Sequence, residues 1–324
     1  MLASGLRLAL DLAARAERRL SIVTFHRVLP VHDSLLPDEP DVAAFETQIT
    51  WLAAAFRILS LPEAVARLAA GTLPPRALCL TFDDGYRNNL ECALPVLRKY
   101  DLPATVFVNT AYLDGGMLWN DLVIEAVRAW PGATLDLSVQ GAGTFSLEGE
   151  RAAVVDRVLG ALKYLPHAER ARLAADLHRK SGSRVNDLML SAAAVRAMHD
   201  AGITIGAHTH SHPILARLDA TAAREEIALN QRLLAGICGA PITCFAYPNG
   251  RPGRDYDARH VALLRDLGFE AAVTTAPGTA GRGMDVFQLP RFTPWDRSEG
   301  RYLLRMMQNY FRRPETVGAL SRAA

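Results

Sequence analysis

Several features that assign a protein to a class are missing from this sequence. No run of about 20 apolar residues occurs, which is the length that a membrane-spanning helix needs. No basic block with interleaved aromatics occurs either, and 36 basic residues against 34 acidic ones leave a formal net charge of only +2. This balance argues against a nucleic-acid partner. The sequence therefore predicts neither a transmembrane protein nor a nucleic-acid-binding one.

Cysteine is also scarce. The four cysteines, Cys79, Cys92, Cys238 and Cys244, form no CxxC pair and no zinc-finger spacing. Two of them, Cys79 and Cys244, lie inside apolar runs that resemble strands, where a cysteine usually acts as a small core residue. We therefore expect no disulfide framework, and the cysteines do not indicate in which cellular compartment the protein works.

An export signal is not evident at the amino terminus. Leucines in residues 1–20 are interrupted by Arg7, Asp11, Arg15 and Glu17, whereas a signal peptide needs an unbroken apolar stretch of about 7–15 residues. The pattern predicts an amphipathic helix that either packs against the rest of the chain or lies on a membrane surface. We expect a cytoplasmic or peripheral membrane protein, with a frayed tail over residues 314–324.

Half of the 324 residues are hydrophobic, which is enough apolar material for a sizeable core. Short apolar runs alternate with stretches of helical periodicity, and strands separated by helices indicate parallel βαβ units. The strand candidates are Ile22–Phe25, Phe56–Leu59, Ala77–Phe82, Ala104–Val108, Ile203–Ala207, Ile242–Tyr247, Ala271–Thr274 and Phe287–Leu289. The helix candidates are Val42–Ala55, Pro62–Ala70, Asn88–Tyr100, Ala192–Ala201, Ala220–Cys238 and Ala258–Leu267. We predict an α/β fold, a distorted (β/α) barrel of seven or eight units, forming one domain over residues 1–324.

Residues 112–191 break this rhythm. They contain a hairpin-like alternation over Ala133–Leu147 and two helical stretches, Glu150–Tyr164 and Ala168–Lys180. The region is too long for a crossover, so we predict an inserted α+β subdomain on one rim of the barrel. Such an insertion either shapes the substrate entrance or acts as a structural cap.

Two adjacent carboxylates follow a predicted strand in Thr81-Phe82-Asp83-Asp84-Gly85. Residues at the carboxyl end of a barrel strand face the side on which barrel active sites are built. Neighbouring carboxylates repel each other unless their roles differ, and a metal ion that binds one of them provides such a difference. An Asp-Asp-Gly turn that caps a helix is the structural alternative.

Three histidines occur in the five residues His208-Thr209-His210-Ser211-His212, directly after another strand candidate. His208 and His212 are four residues apart, so one helical turn lets both converge on a divalent ion. His210 is expected to point elsewhere. Two histidines and one carboxylate leave open positions for water and substrate, which is the arrangement of a catalytic rather than a structural metal site.

TFDDG followed by H-[ST]-x-x-H resembles the polysaccharide deacetylases of carbohydrate esterase family 4, the NodB-homology domain. The resemblance extends from about Pro75 to Arg291. Phe245-Ala246-Tyr247-Pro248-Asn249-Gly250 is similar to the F-x-Y-P-x-G form of the family's third motif, and Leu289-Pro290-Arg291 is similar to a later block of the same branch.

The resemblance implies roles for individual residues. Asp84, His208 and His212 would hold a divalent ion, for which zinc is favoured over cobalt, nickel or manganese. Asp83 would be the general base toward the metal-bound water. The backbone N–H of Asn249 would stabilise the oxyanion, and Tyr247 would line the acetyl pocket.

Two departures from the family pattern move roles to other residues. Ala246 occupies the position at which many relatives have an arginine that orients the catalytic aspartate, so Arg291 is the expected substitute. No histidine follows His260, although the family's general acid usually lies in a later block. His26, just after the first strand candidate, is therefore the expected general acid.

The function implied is removal of N-acetyl groups from amino sugars of a polysaccharide, a glycan precursor or a glycan lipid. Two alternatives remain open at this point. One is a C–N hydrolase of small amides or cyclic imides, and the other is a catalytically silent glycan-binding module.

Overall fold

The computed structural model describes residues 17–138 and 143–318, together with Gly5 and Asp11. Most of the amphipathic helix predicted over residues 1–20 and the end of the tail predicted over 314–324 lie outside these residues. Among the described residues, no helix is both long enough and apolar enough to cross a membrane.

Nine strands and ten α-helices are present in the described part of the chain. The strands are β1 Leu20–Phe25, β2 Arg57–Ile58, β3 Ala77–Phe82, β4 Thr105–Val108, β5 Thr134–Leu137, β6 Gly143–Ser146, β7 Thr204–Ala207, β8 Cys244–Ala246 and β9 Ala271–Val273. The helices are α1 Val42–Ala55, α2 Leu61–Ala70, α3 Leu94–Lys99, α4 Trp119–Ala129, α5 Arg151–Leu162, α6 His167–Ser181, α7 Ala192–Asp200, α8 Ala220–Cys238, α9 Ala258–Asp266 and α10 Glu299–Tyr310.

Seven strands form one parallel sheet in the order β1-β3-β4-β7-β8-β9, with β2 paired to the start of β3. The sheet curls into a half-barrel with helices packed against it, which confirms the predicted α/β fold. Single bridges join Leu289 to Val273 of β9 and Phe292 to Val23 of β1. The segment 289–292 therefore connects the two edge strands, and Arg291 lies between them.

Alternating side chains of the strands belong to two separate hydrophobic clusters. Val23, Leu80 and Phe245 pack in the larger cluster with the helices that surround the sheet. Their neighbours Cys79 and Cys244 belong to the second cluster, on the opposite face. This is the alternation expected of strands buried on both faces, and it confirms that these two cysteines are core residues. All four cysteines are free.

Helices α4, α5 and α6 and the antiparallel hairpin β5–β6 pack around a third cluster of their own. The predicted hairpin and the two predicted helices of the 112–191 region are thus present. Helix α4 was not predicted. The division into a barrel and an insertion stays a prediction, but this region has a hydrophobic core that is distinct from the other two.

Two sequence-based assignments differ from the structure. The strand predicted over Phe287–Leu289 is a 3₁₀ turn, Val286–Gln288, because the Asp285 side chain accepts the Phe287 N–H and caps it. The helix predicted over Asn88–Tyr100 begins as a π-helical turn, in which the Leu94 N–H donates to the carbonyl of Asn89. Pro95 has no N–H with which to continue the ordinary pattern one residue later.

Candidate active site

Most of the side chains predicted to carry chemistry meet in one cleft of about 470 Å³ at the carboxyl ends of the strands. His26 follows β1, Asp83 and Asp84 follow β3, and His208 follows β7. Residues 119, 120, 159, 160 and 163, from the α4–α5 region, line the same cleft. The helical region inserted between β4 and β7 therefore forms part of the cleft wall.

Asp84, His208 and His212 come together in this cleft as a candidate metal-binding group, called the metal-binding group below. Their ligand atoms lie within 4.8 Å of one another. The Nε2 atoms of His208 and His212 are 3.4 and 3.5 Å from Oδ1 of Asp84. Two imidazole nitrogens and one carboxylate oxygen converging at these distances fit a divalent ion such as zinc.

The surroundings of these three residues favour their metal-binding forms. Nδ1 of His208 lies 2.7 Å from the carbonyl oxygen of Ala246, so Nδ1 must carry the proton and the lone pair of Nε2 is free. Burial lowers the pKa of His212 to about 3 against the opposing effect of Asp84, so its imidazole is neutral near neutral pH. Burial would raise the pKa of Asp84, but the nearby imidazoles hold it below its usual range.

Left-handed backbone concentrates at the same place. Asp84, Thr209, His212 and Asn249 have φ values of 72°, 65°, 57° and 59°. Such conformations cost about 1–3 kcal/mol each at non-glycine residues and tend to occur at functional sites. Gly85 also has a positive φ, and a Cβ there would lie 3.0 Å from the Val108 side chain. The tight turn that carries Asp84 past β4 therefore requires glycine.

Asp83 and Arg291 form a buried, two-pronged ion pair. Nη1 and Nη2 of Arg291 each lie 2.6 Å from a different carboxylate oxygen of Asp83. Arg291 is 1% exposed and Asp83 is 3% exposed. Burial opposes ionisation of Asp83, but the guanidinium outweighs it and lowers the pKa of the carboxyl group. Asp83 is therefore ionised and fixed in orientation.

Arg291 is itself held by three threonines. Its Nε donates to the carbonyl oxygen of Thr274, and Nη1 also contacts the hydroxyls of Thr24 and Thr81. Because these contacts connect the side chain to β1, β3 and the end of β9, they hold the guanidinium in a single orientation. Arg291 thus lies where the sequence predicted an orienting group for Asp83.

His26 lines the cleft together with Asp83 and Asp84. Its backbone carbonyl accepts a hydrogen bond from the side-chain amide of Asn89, which is fully buried in the π-helical turn. Burial lowers the pKa of His26, but the carboxylates of Asp84, Glu39 and Asp83 outweigh burial and raise it above the ordinary value. A protonated imidazole in this position suits the predicted proton-donor role.

Asn249 also lines the cleft, whereas Tyr247 does not. The Asn249 N–H donates to no protein group within the described ranges, and its carbonyl accepts from the Thr275 hydroxyl. Tyr247 is 1% exposed, its ring stacks on Tyr256, and its hydroxyl donates to the carbonyl of Phe287. The structure therefore places the Tyr247 ring in the core and does not bring it into the cleft with the other predicted residues, and its role in an acetyl pocket stays a prediction.

Sequence reasoning missed the polar residues that fix the histidine loop. Asn230 of α8 is fully buried, and it accepts the His208 N–H while donating to the Val108 carbonyl and the Thr110 hydroxyl. Glu226, one helical turn earlier, accepts from the Ser211 N–H and hydroxyl. The signal that was available is the pair of polar residues, Glu226 and Asn230, four positions apart on the otherwise apolar inner face of α8. His210 points away from the metal-binding group and contacts Thr110.

Comparisons with known proteins identify the family of the chain. The family model described as polysaccharide deacetylase matches residues 70–136 and 155–272, more than half of the chain. The chain is 22% identical over 275 residues to YxkH of Bacillus subtilis, named as a candidate polysaccharide deacetylase, covering 84% of this chain and 70% of that protein. It is 33% identical over 104 residues to the poly-β-1,6-N-acetyl-D-glucosamine N-deacetylase of Staphylococcus epidermidis, covering 28% of this chain and 36% of that enzyme.

Solved structures share the fold. The Streptococcus pyogenes deacetylase PplD, in complex with acetate, superposes with a TM-score of 0.60 at 18% identity and covers 90% of this chain and 99% of its own. IcaB from Ammonifex degensii superposes with a TM-score of 0.57 at 20% identity, covering 88% and 96%. Because the family model matches more than half of the chain, the chain belongs to the polysaccharide deacetylase family.

Proposed function

We propose that this protein is a metal-dependent N-deacetylase that acts on N-acetyl amino sugars of a polysaccharide or glycan precursor. The observation that carries the proposal is the placement of the Asp84, His208 and His212 group beside the buried Asp83–Arg291 pair in one cleft. A silent binding module has no need of an oriented carboxylate next to three metal-binding side chains.

A bound divalent ion would polarise the amide carbonyl and make a water molecule more acidic. Asp83, ionised and oriented by Arg291, accepts a proton from the attacking water while the water oxygen bonds to the carbonyl carbon. The N–H of Asn249 is placed to donate to the oxygen that becomes negative, an interaction typically worth about 3–4 kcal/mol. The C–N bond then breaks, His26 gives the amine nitrogen a proton, and acetate and a free amine result.

The substrate is proposed from the relatives. The Staphylococcus epidermidis protein is named for poly-β-1,6-N-acetyl-D-glucosamine, so β-1,6-linked N-acetylglucosamine is the first polymer to test and β-1,4-linked oligomers the second. Small amides and cyclic imides are the alternative substrates, because the same water-activating arrangement would hydrolyse them.

The decisive assay measures acetate release from both oligomer series, with and without a chelator, and after zinc, cobalt, nickel or manganese is restored. We expect chelator-sensitive release from at least one N-acetylglucosamine oligomer. Hydrolysis of cyclic imides with no acetate from any glycan would assign the site to the alternative. No turnover of either substrate class would point to a binding module.

A further inference from the structure

A buried arginine next to the cleft pairs with no carboxylate among the residues that the structure describes. Arg170 of α6 is 2% exposed, and its guanidinium donates to the Lys163 carbonyl and contacts Nδ1 of His167. Its carbon Cζ lies 4.8 Å above the ring of Trp119, which lines the cleft. Its Nε forms no hydrogen bond in the described part of the chain. Burying a charge without an ionic partner is costly, so another role is expected of it.

Further cations lie on the same side of the cleft. Lys163 and Arg251 both line it. Arg254 stacks over Tyr164, the residue after Lys163, at 4.1 Å. We call Lys163, Arg170, Arg251 and Arg254 the basic wall. Burial and the three arginines lower the pKa of Lys163 while Asp255 opposes them, which shows that the wall is a cluster of like charges.

The acidic groups nearby do not neutralise this wall. Asp83 is paired with Arg291, and Asp84 faces two imidazoles. Glu226 accepts from Ser211, and the buried Asp255 accepts the Arg251 N–H and also acts on Lys163, so these two carboxylates offset part of the charge of the four cations. Positive charge therefore remains along the wall, a divalent ion beside Asp84 would add to it, and such a field concentrates anions.

We propose that the natural substrate is an anionic N-acetylated glycan, with a phosphate or carboxylate close to the amide that is cleaved. Lys163 and Arg251, the two members of the basic wall that line the cleft, contact this anionic group, and Arg170 and Arg254 behind them add to the positive field, while the amide carbonyl faces Asp83 and His26. This inference rests on the proposed deacetylase function and specifies its substrate class. Exposed arginines alone are often only solvated surface, but a buried arginine with no acidic partner is not explained in that way.

The test compares three oligomers with the same number of N-acetylglucosamine units. One is neutral, one carries a phosphate at its reducing end, and one alternates N-acetylglucosamine with glucuronic acid. We expect kcat/KM to be about tenfold higher for at least one anionic oligomer at low ionic strength, with the difference shrinking at about 0.5 M salt. The oligomer for which kcat/KM is higher shows whether the wall binds a phosphate or a carboxylate.

Lys163→Met and Arg251→Met are the test variants, because both side chains are near the surface and their loss should leave the fold intact. Each should lower kcat/KM for the anionic oligomer by a clearly larger factor than for the neutral one, which removes most of the advantage of the anionic oligomer. Lys180→Met is the matched control, since Lys180 lies on α6 in an exposed ion pair with Asp176. It should leave both values unchanged.

Calorimetric binding of the three oligomers to the metal-free protein gives a readout that does not depend on turnover. Tighter binding of an anionic oligomer, weakened in the two wall variants and not in Lys180→Met, supports the inference even if no oligomer is deacetylated. Equal binding and equal kcat/KM for neutral and anionic oligomers overturn the inference and leave the deacetylase function in place. Absence of acetate from every oligomer counts against the deacetylase function itself.

Discussion

Asp83 and Asp84 are adjacent in sequence but have separate environments. The Asp84 carboxylate faces imidazoles and the Asp83 carboxylate faces a guanidinium, so one is placed to bind an ion and the other to accept a proton. The two functions should therefore be separable by substitution.

Replacing Asp83 with asparagine should retain the metal and abolish most turnover. Asparagine keeps the size of the side chain but cannot accept the proton, and loss of a general base costs about 10²–10⁴-fold in rate. Acetate release and metal content by elemental analysis should be measured on the same sample. Since Arg291 then loses its ionic partner, thermal unfolding should also show a lower Tm. Activity near that of the wild type would refute the assignment of Asp83 as the base.

His26 provides a pH-dependent prediction for the metal-free protein. Its pKa is raised above 6.5 in the folded state, so the folded protein binds the proton more tightly than the unfolded chain. The resulting stabilisation is present in full below about pH 6.5 and is lost as pH rises through the raised value.

Urea unfolding at mildly acidic and mildly alkaline pH should therefore show that the wild type loses more stability with rising pH than His26→Gln. An NMR titration of the imidazole gives the pKa directly. It should fall in Glu39→Gln, because Glu39 is one of the carboxylates that raise it. An unchanged titration in that variant would contradict the electrostatic account.

At the scale of elements, helix α8 determines the position of the histidine loop. Asn230 forms three hydrogen bonds that connect the His208 N–H to the carboxyl end of β4 and to the loop that follows it. Groups that orient metal ligands typically change metal affinity by about 10–100-fold when they are removed.

Asn230→Ala should accordingly weaken zinc binding by about this factor and lower the Tm. Gln231→Ala is the matched control, because its amide donates to the carbonyls of Ile242 and Leu267, away from the site. That variant should lower the Tm but leave the zinc dissociation constant unchanged. Equal losses of affinity in both variants would mean that general destabilisation is responsible.

The sequence predicted what local pattern determines. Periodicity located most strands of the sheet, and the strand-following motifs located Asp83, Asp84, His208 and His212. Prediction from the sequence failed where tertiary contacts decide the position of a side chain. Tyr247 looks like a pocket residue in its motif but packs in the core, and the polar pair on α8 does not reveal which elements Asn230 bonds to. The buried position of Arg170 depends on how α4 and α6 pack, so it was equally invisible.

For the whole molecule, residues from β3 and β7 must approach each other to form the metal-binding group, so an ion bound there stabilises only the folded state. At a free zinc concentration 100 times the dissociation constant, this linkage is worth about 2.7 kcal/mol, or a rise in Tm of roughly 5 °C for a chain of this size. His212→Ala should abolish the rise. His210→Ala should retain it, because His210 lies in the same loop but contacts Thr110 rather than the metal-binding group. Thermal scans of the three proteins with chelator and with zinc make this comparison, and a rise that persists in His212→Ala would place the ion elsewhere.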